Sequence, residues 1–166
     1  MTTIHLLLGT NQGDRIKNLD LAHELILEKM GTIVRASQIY SSPPWGFVAD
    51  MDFLNQVVCV ETELQPMDVL KQIVDYEESN GRIREQNEGT KIFHSRSIDI
   101  DILLWENLIL ESIELSIPHP RIAERRFVLL PLAEVSPDLE HPVFKSTIQE
   151  LLHLCKDFSP VYPCKA

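Results

Sequence analysis

Asp99 and Asp101 are the residues whose placement most suggests chemistry. They lie two apart in the stretch Arg96-Ser97-Ile98-Asp99-Ile100-Asp101-Ile102-Leu103-Leu104. Strand side chains alternate between faces, so Ile98, Ile100 and Ile102 point one way while Ser97, Asp99 and Asp101 point the other. The isoleucine face suits a core. The opposite face sets two carboxylates about 6.6 Å apart along the backbone, at a rise of ~3.3 Å per residue. Like charges so placed repel, and a divalent cation reverses that effect. Mg²⁺ is typically held by one or two carboxylates together with substrate phosphates. The alternative is the wet outer face of an antiparallel sheet, where polar residues are ordinary. Aspartate is depleted in strands, which weighs toward the metal.

Other polar residues could serve the same chemistry. Arg82 and Arg84 follow a helix that ends with Glu77 and Glu78 in its last turn, where the helix dipole disfavours negative charge. The arginines either compensate those carboxylates or bind phosphate, for which the forked guanidinium is well shaped. Ser41-Ser42-Pro43-Pro44-Trp45-Gly46-Phe47 reads as a stiff loop, because two prolines fix φ and remove two donors. Its fixed carbonyls and amides suit a flat heterocycle, while Trp45 taken alone reads as core packing. Asn55 is out of place mid-strand and either reads a pterin- or purine-like edge or bonds the backbone. His119 stands rigidly between Pro118 and Pro120.

These residues need elements to position them. A strand over residues 3–8 leads into a turn, Gly9-Thr10-Asn11-Gln12-Gly13-Asp14, that lacks either phosphate-loop signature. The next helix, capped by Asp14, carries Ile16, Leu19, Ala22, Ile26 and Met30 on one stripe and stops at Gly31. Strands are expected over 32–40 and 52–62, the second with Phe53, Asn55, Val57 and Cys59 on one face. Pro66 opens a second helix with Val69, Leu70, Ile73 and Tyr76 on its apolar side. The polar segment 85–95 is a candidate lid ahead of the aspartate strand. A turn at Glu106-Asn107 leads back through residues 108–117. Ser146 and Gln149 form a capping box for a last helix bearing Ile148, Leu151, Leu152 and Cys155.

The order strand, helix, strand, strand, helix, strand predicts an α+β fold of ferredoxin-like, split βαβ type. Its antiparallel sheet would carry helices on one face, with additional C-terminal helices. The 166 residues are expected to form a single domain. A net charge of −10 argues against a general nucleic-acid binder. No apolar run is long enough to span a membrane and no signal peptide is evident. Cys59, Cys155 and Cys164 show no C-x-x-C spacing, so a reducing, cytoplasmic setting without a zinc site is expected.

Seven motifs, in order, resemble the 6-hydroxymethyl-7,8-dihydropterin pyrophosphokinase family over roughly residues 4 to 140. They are Leu8-Gly9-Thr10-Asn11, Tyr40 through Gly46, Phe53-Leu54-Asn55, Glu77 through Arg84, Arg96 through Leu104, Ile117-Pro118-His119-Pro120-Arg121, and Glu124 through Leu132. The resemblance implies Mg²⁺-dependent transfer of diphosphate from ATP to 6-hydroxymethyl-7,8-dihydropterin, releasing AMP, in folate biosynthesis. It implies that Asp99 and Asp101 hold two Mg²⁺ ions. Ser42, Pro43, Pro44, Trp45 and Asn55 would read the pterin, and Phe53 and Phe127 would sandwich its ring. Glu77, Arg84, Arg96, Ile102, His119 and Arg125 would line the ATP site. Arg82 and Arg96 would act in catalysis with the aspartates. The implied partners are these small molecules alone, with no membrane or nucleic acid, and the family is usually monomeric. The chain departs from the family at Phe93-His94-Ser95, where a tryptophan and Gly-Pro are frequent, and in a longer 85–95 segment. Ser42 and Thr10 exchange one hydroxyl residue for another. Another nucleotide-using transferase, or a ligand-binding module of the same fold, are the competing readings.

Overall fold

Strand β1 (Thr2–Thr10) runs through the middle of the sheet and is buried along nearly its whole length. The computed structural model describes residues 1–80 and 97–164 of the chain. Helix α1 (Arg15–Lys29) follows β1, with the Asp14 carboxylate accepting from Lys17 N–H at 3.1 Å as its N-cap. Leu19, Ala22 and Ile26 face the sheet, but Ile16 is 48% exposed and lies off the expected stripe. Gly31 closes the helix at φ +151°, and a Cβ there would stand 2.1 Å from the Glu61 carbonyl oxygen. Only glycine permits that approach of helix end to sheet.

The strand expected over 32–40 is two strands, β2 (Thr32–Ala36) and β3 (Tyr40–Ser42). Between them Ser37 leaves the ladder, exchanging hydrogen bonds with Val57 and accepting at its carbonyl from the Gln56 amide. Strand β4 (Phe53–Thr62) pairs with β1, β2 and β3. Helix α2 (Pro66–Ser79) starts at its proline as expected and buries Val69 and Ile73. Strand β5 (Asp99–Trp105) pairs with the other side of β1. All these pairings are antiparallel, in the order β5-β1-β4-β3, with β2 also on β4.

Two cores share this sheet. Ile4, Leu6 and Leu8 of β1, Leu54, Val58 and Val60 of β4, and Ile98, Ile100 and Ile102 face α1 and α2. Leu7, Val57, Leu103 and Leu104 face the other way, under two C-terminal helices. These are α3 (Arg126–Val135) and α4 (Ile148–Leu154). The alternation in β5 holds through Ile102 and then resets. His5 pairs with Leu104 and Leu6 with Ile102, so Leu103 is the extra residue of a bulge. Trp105 thereby returns to the α1/α2 core.

A short ribbon, β6 (Leu110–Glu111) and β7 (Ser116–Ile117), follows β5. The capping box of α4 is formed by Thr147 and Glu150, one residue beyond the expected Ser146 and Gln149. Both pairs satisfy the same spacing rule, and the helix uses the one that begins it at Ile148. Past α4 the chain returns to the sheet, where β8 (Tyr162–Pro163) adds to the edge of β3. Cys59, Cys155 and Cys164 are free thiols. Among the described residues no helix is long and apolar enough to cross a membrane.

Candidate active site

The pocket lies on the α3 side of the sheet, where the apolar second core stops. Its floor is set by register. Gly9 stands between Asp99 on β5 and Asn55 on β4, and Leu7 stands between Asp101 and Val57. A glycine in a strand often marks a close approach by another group. Here a Cβ at residue 9 would rise 3.8 Å from Asn55 Oδ1 and 3.9 Å from the Phe53 ring. Its absence leaves a flat floor between the carboxylates and the amide. Gly9 and Thr10 thus belong to β1 and not to the turn expected from sequence.

One wall comes from β3 and the loop after it, through Ser42, Pro43, Trp45 and Phe47. Phe47 meets the Phe53 ring edge-on, with centroids 5.9 Å apart and planes at 84°. Asn55 is buried and donates from its amide to Ser42 Oγ at 2.8 Å. That bond ties the floor to the wall. The opposite wall is the start of α3, which supplies Arg125 and Phe127.

Arg125 is 8% exposed, with its guanidinium carbon 4.6 Å from the Trp45 ring centroid and 5.6 Å from that of Phe127. Arg121 reaches the same indole at 5.5 Å. Burial lowers the Arg125 pKa, while the charges of Asp101 and Asp99 oppose that shift. Among the described residues its Nε has no hydrogen-bond partner. The buried cation is therefore held by aromatic faces and by the aspartates' field.

Two contacts position the aspartate strand. Thr10 Oγ1 donates to the Ser97 carbonyl at 2.5 Å, and Thr10 is itself held by Asn18, which donates to Thr10 Oγ1 and to the Gln12 carbonyl. The second contact involves Glu77, which is 2% exposed and accepts from the Ile100 N–H at 3.0 Å. β5 is the outer strand of the sheet, and this carboxylate takes an amide between the two aspartates. A carboxylate at the C-terminal end of α2 opposes the dipole, and its charge-assisted bond to β5 offsets that penalty.

The structure thus gathers Ser42, Pro43, Trp45, Phe53, Asn55, Asp99, Asp101, Arg125 and Phe127 around one pocket. Pro44 and Glu77 stand outside its lining. The Ile102 side chain lies in the α1/α2 core, leaving only its backbone for a ligand. His119 is half-buried, with its N–H on the Leu103 carbonyl and its Nδ1 accepting from Arg121 N–H. Arg82, Arg84 and Arg96 lie outside the described residues, as does the 85–95 segment. The sequence reading assigned no site role to Leu7, Gly9 or Phe47. Gly9 carried a signal, as a glycine one pair away from both Asn55 and Asp99, but only the register reveals it.

Among the described residues no group of three or more His, Cys, Asp or Glu side chains is gathered to hold a metal. Two hard carboxylates on one strand face fit Mg²⁺ when phosphate oxygens complete the shell. They do not fit a closed structural metal site. A slot with aromatic walls, an amide at one side of its floor and two carboxylates at the other can hold a flat ring beside a polyphosphate.

Residues 5–137 match the model of the 7,8-dihydro-6-hydroxymethylpterin-pyrophosphokinase family. The chain is 41% identical over 143 residues to the 2-amino-4-hydroxy-6-hydroxymethyldihydropteridine pyrophosphokinase of Porphyromonas gingivalis, covering 86% of this chain and 95% of that one. The enzyme of the same name from Aquifex aeolicus is 37% identical over 150 residues, 90% of each chain. In fold, the chain is similar to an HPPK-DHPS protein crystallised with substrates, at a TM-score of 0.75 and 17% identity. That alignment covers 92% of this chain and 43% of the larger protein. A Plasmodium falciparum HPPK-DHPS gives 0.73 at 19% identity, covering 92% and 45%. The chain belongs to the 7,8-dihydro-6-hydroxymethylpterin-pyrophosphokinase family.

Proposed function

We propose that this protein transfers the β,γ-diphosphate of ATP to the hydroxymethyl group of 6-hydroxymethyl-7,8-dihydropterin, giving AMP and the pterin diphosphate ester in folate biosynthesis. The observation that carries this reading is the pocket floor, with Asp99 and Asp101 on one side of Gly9 and Asn55 on the other. The pterin ring lies over Gly9, faced by Phe53 and Phe127, with its polar edge toward Asn55 and the loop from Ser42 to Trp45. The hydroxymethyl group then points toward the aspartates.

There the hydroxyl oxygen bonds to the β-phosphorus as the bond from that phosphorus to the α,β-bridging oxygen breaks. AMP departs with the bridging oxygen, and the hydroxyl proton is released to water. Such a step depends on alignment and charge neutralisation more than on covalent help. Asp99 and Asp101 would hold Mg²⁺, as two ions, on the phosphates. Bound Mg²⁺ neutralises phosphate charge and lowers the pKa of the attacking hydroxyl. Arg125 supplies positive charge from the pocket side, and Glu77 keeps the backbone between the aspartates in place. Arg82, Arg84, Arg96 and His119 are read as further nucleotide contacts, with Arg82 and Arg96 acting in the transfer.

We read the sheet order β5-β1-β4-β3, with α1 and α2 on one face, as a ferredoxin-like split βαβ arrangement. We also read residues 1–166 as one domain acting as a monomer in the cytoplasm, with ATP and the pterin as its only partners. The test is an assay of AMP formation from ATP and Mg²⁺, with and without the pterin. Pterin-dependent AMP supports the reading. ADP as the product would identify a simple kinase, and no turnover by folded protein would leave a binding module.

A further inference from the structure

Helix α3 sets one wall of the pocket, yet it begins without a cap of its own. Arg125 occupies the N-cap position with no side-chain hydrogen bond, and the first turn holds no acidic residue. The leading amides of a helix need partners from elsewhere. One comes from a segment 31 positions on, where Asp157 Oδ2 accepts from the Arg126 N–H at 3.0 Å. Asp157 is itself fixed, since its Oδ1 accepts from Ser159 N–H at 3.0 Å and from Ser159 Oγ at 2.5 Å. Burial would raise the Asp157 pKa, but the Ser159 and Arg126 hydrogen bonds outweigh it and hold the carboxyl below its ordinary range. A negative charge there also complements the N-terminal end of the helix dipole.

Arg126 lies between the two pocket residues of this wall. Holding its amide fixes the backbone from which Arg125 and Phe127 project. The same segment goes on to β8, which pairs with Tyr40 and Ser41 beside the other wall. Asp157 also borders, with Lys156, an open groove reaching Trp45. Asp157, Ser159 and β8 lie beyond the residues 5–137 matched by the family model.

We propose that Asp157 is a positioning residue for the active site, setting where α3 begins and so where Arg125 and Phe127 stand against Trp45. For its kinetic consequence this rests on the function proposed above. The test compares Asp157→Ala, Asp157→Asn and the exposed neighbour variant Phe158→Ala in the full chain. Three quantities are read: exchange of the Arg126 amide, acrylamide quenching of Trp45 (Trp105 being buried), and pterin KM against kcat.

Asp157→Ala should speed amide exchange, raise Trp45 quenching and raise the pterin KM about fivefold, as expected from loss of one cap, with kcat less affected. Asp157→Asn keeps an acceptor and should recover most of this. Phe158→Ala should match wild type. Wild-type KM and quenching in Asp157→Ala, despite faster Arg126 exchange, would reduce Asp157 to a local cap and overturn the proposal. If Asp157→Ala does not fold, Ser159→Ala loosens the same carboxylate. A smaller KM rise with greater quenching then supports the proposal, and neither change overturns it. A wild type that forms no AMP refutes the proposed reaction alone, while quenching still decides the role of Asp157.

Discussion

Toward α1 and α2 the central strands present Ile4, Leu6, Leu8, Leu54, Val58, Val60, Ile100 and Ile102 in one apolar surface. Toward α3 the same strands present His5, Leu7 and Gly9, then Asn55 and Val57, then Asp99 and Asp101. The first face is made for exclusion of water along its whole length. The second is apolar under the C-terminal helices and polar where those helices leave it open. Because the period is two, a residue's parity decides whether it contributes to folding or to the site.

The largest effect should come from removing the site's charge. Asp99→Ala with Asp101→Ala should lower kcat/KM at least about 10³-fold, since charge neutralisation on phosphates is worth several kcal/mol. Urea unfolding should show a modest loss of stability, because the buried Arg125 cation loses the opposing charge of both aspartates while their mutual repulsion is relieved. A loss as large as that from a core cavity would show that the aspartates are structural and break the contrast between the faces.

The neighbouring residue should behave in the opposite way. Ile100→Ala opens a cavity in the first core and should reduce unfolding free energy by about 2–5 kcal/mol. Its activity per folded molecule should change little. Comparable losses in activity from both substitutions would mean that strand position, not side-chain chemistry, governs the site.

His5 sharpens the contrast within the second face. It is 4% exposed and bonded through Nε2 to Ser136 Oγ at 2.9 Å. Burial, helped by the Arg35 charge, lowers its pKa from 6.5 to about 4. The unfolded chain therefore binds this proton more readily than the fold does. The His5 contribution is fully present above pH 6.5, falls as pH drops toward about 4, and then levels. Full expression is on the order of 3 kcal/mol. In denaturation experiments across that range the wild type should lose about this much stability relative to His5→Gln, and curves that stay parallel would remove His5 as the cause.

The smallest effect should be at Gly9. Its missing Cβ would make only ordinary contacts, so Gly9→Ala should fold with wild-type stability. The added methyl would stand on the pocket floor and raise the pterin KM roughly tenfold. An unchanged KM would mean that the ring lies elsewhere.

The β5 alternation was readable because isoleucine and aspartate differ so strongly in polarity. The reset at Leu103 was not, since Ile102, Leu103, Leu104 and Trp105 are all apolar and both faces there are covered. The break at Ser37 depends on bonds to Val57 and Gln56, which are distant in sequence. Glu77 looked like an unfavourable charge needing a cation or ligand, and its visible partner is a backbone amide of another element. The α4 cap fell one residue late because overlapping Ser-x-x-Gln and Thr-x-x-Glu patterns are locally equivalent. The pocket residues carried their chemistry in their types, while their adjacency came from register. Asp157 itself carried no legible signal, because it acts on a helix thirty-one positions earlier.

The bulge at Leu103 has a consequence for how this strand tolerates change. It separates the segment bearing Asp99 and Asp101 from the segment that fills the second core, so the two are no longer locked to one count. Deleting Leu103 would restore strict alternation while leaving Leu104 opposite His5 and Trp105 opposite Ile4, each on its present side. The second core would lose one leucine, and the aspartate face would keep its register. Removing a residue from the regular part of the strand, such as Ile100, has no such slack and would turn Asp99 or Asp101 away from the pocket. The strand can therefore absorb a change in length at the bulge but not within the segment that bears the aspartates.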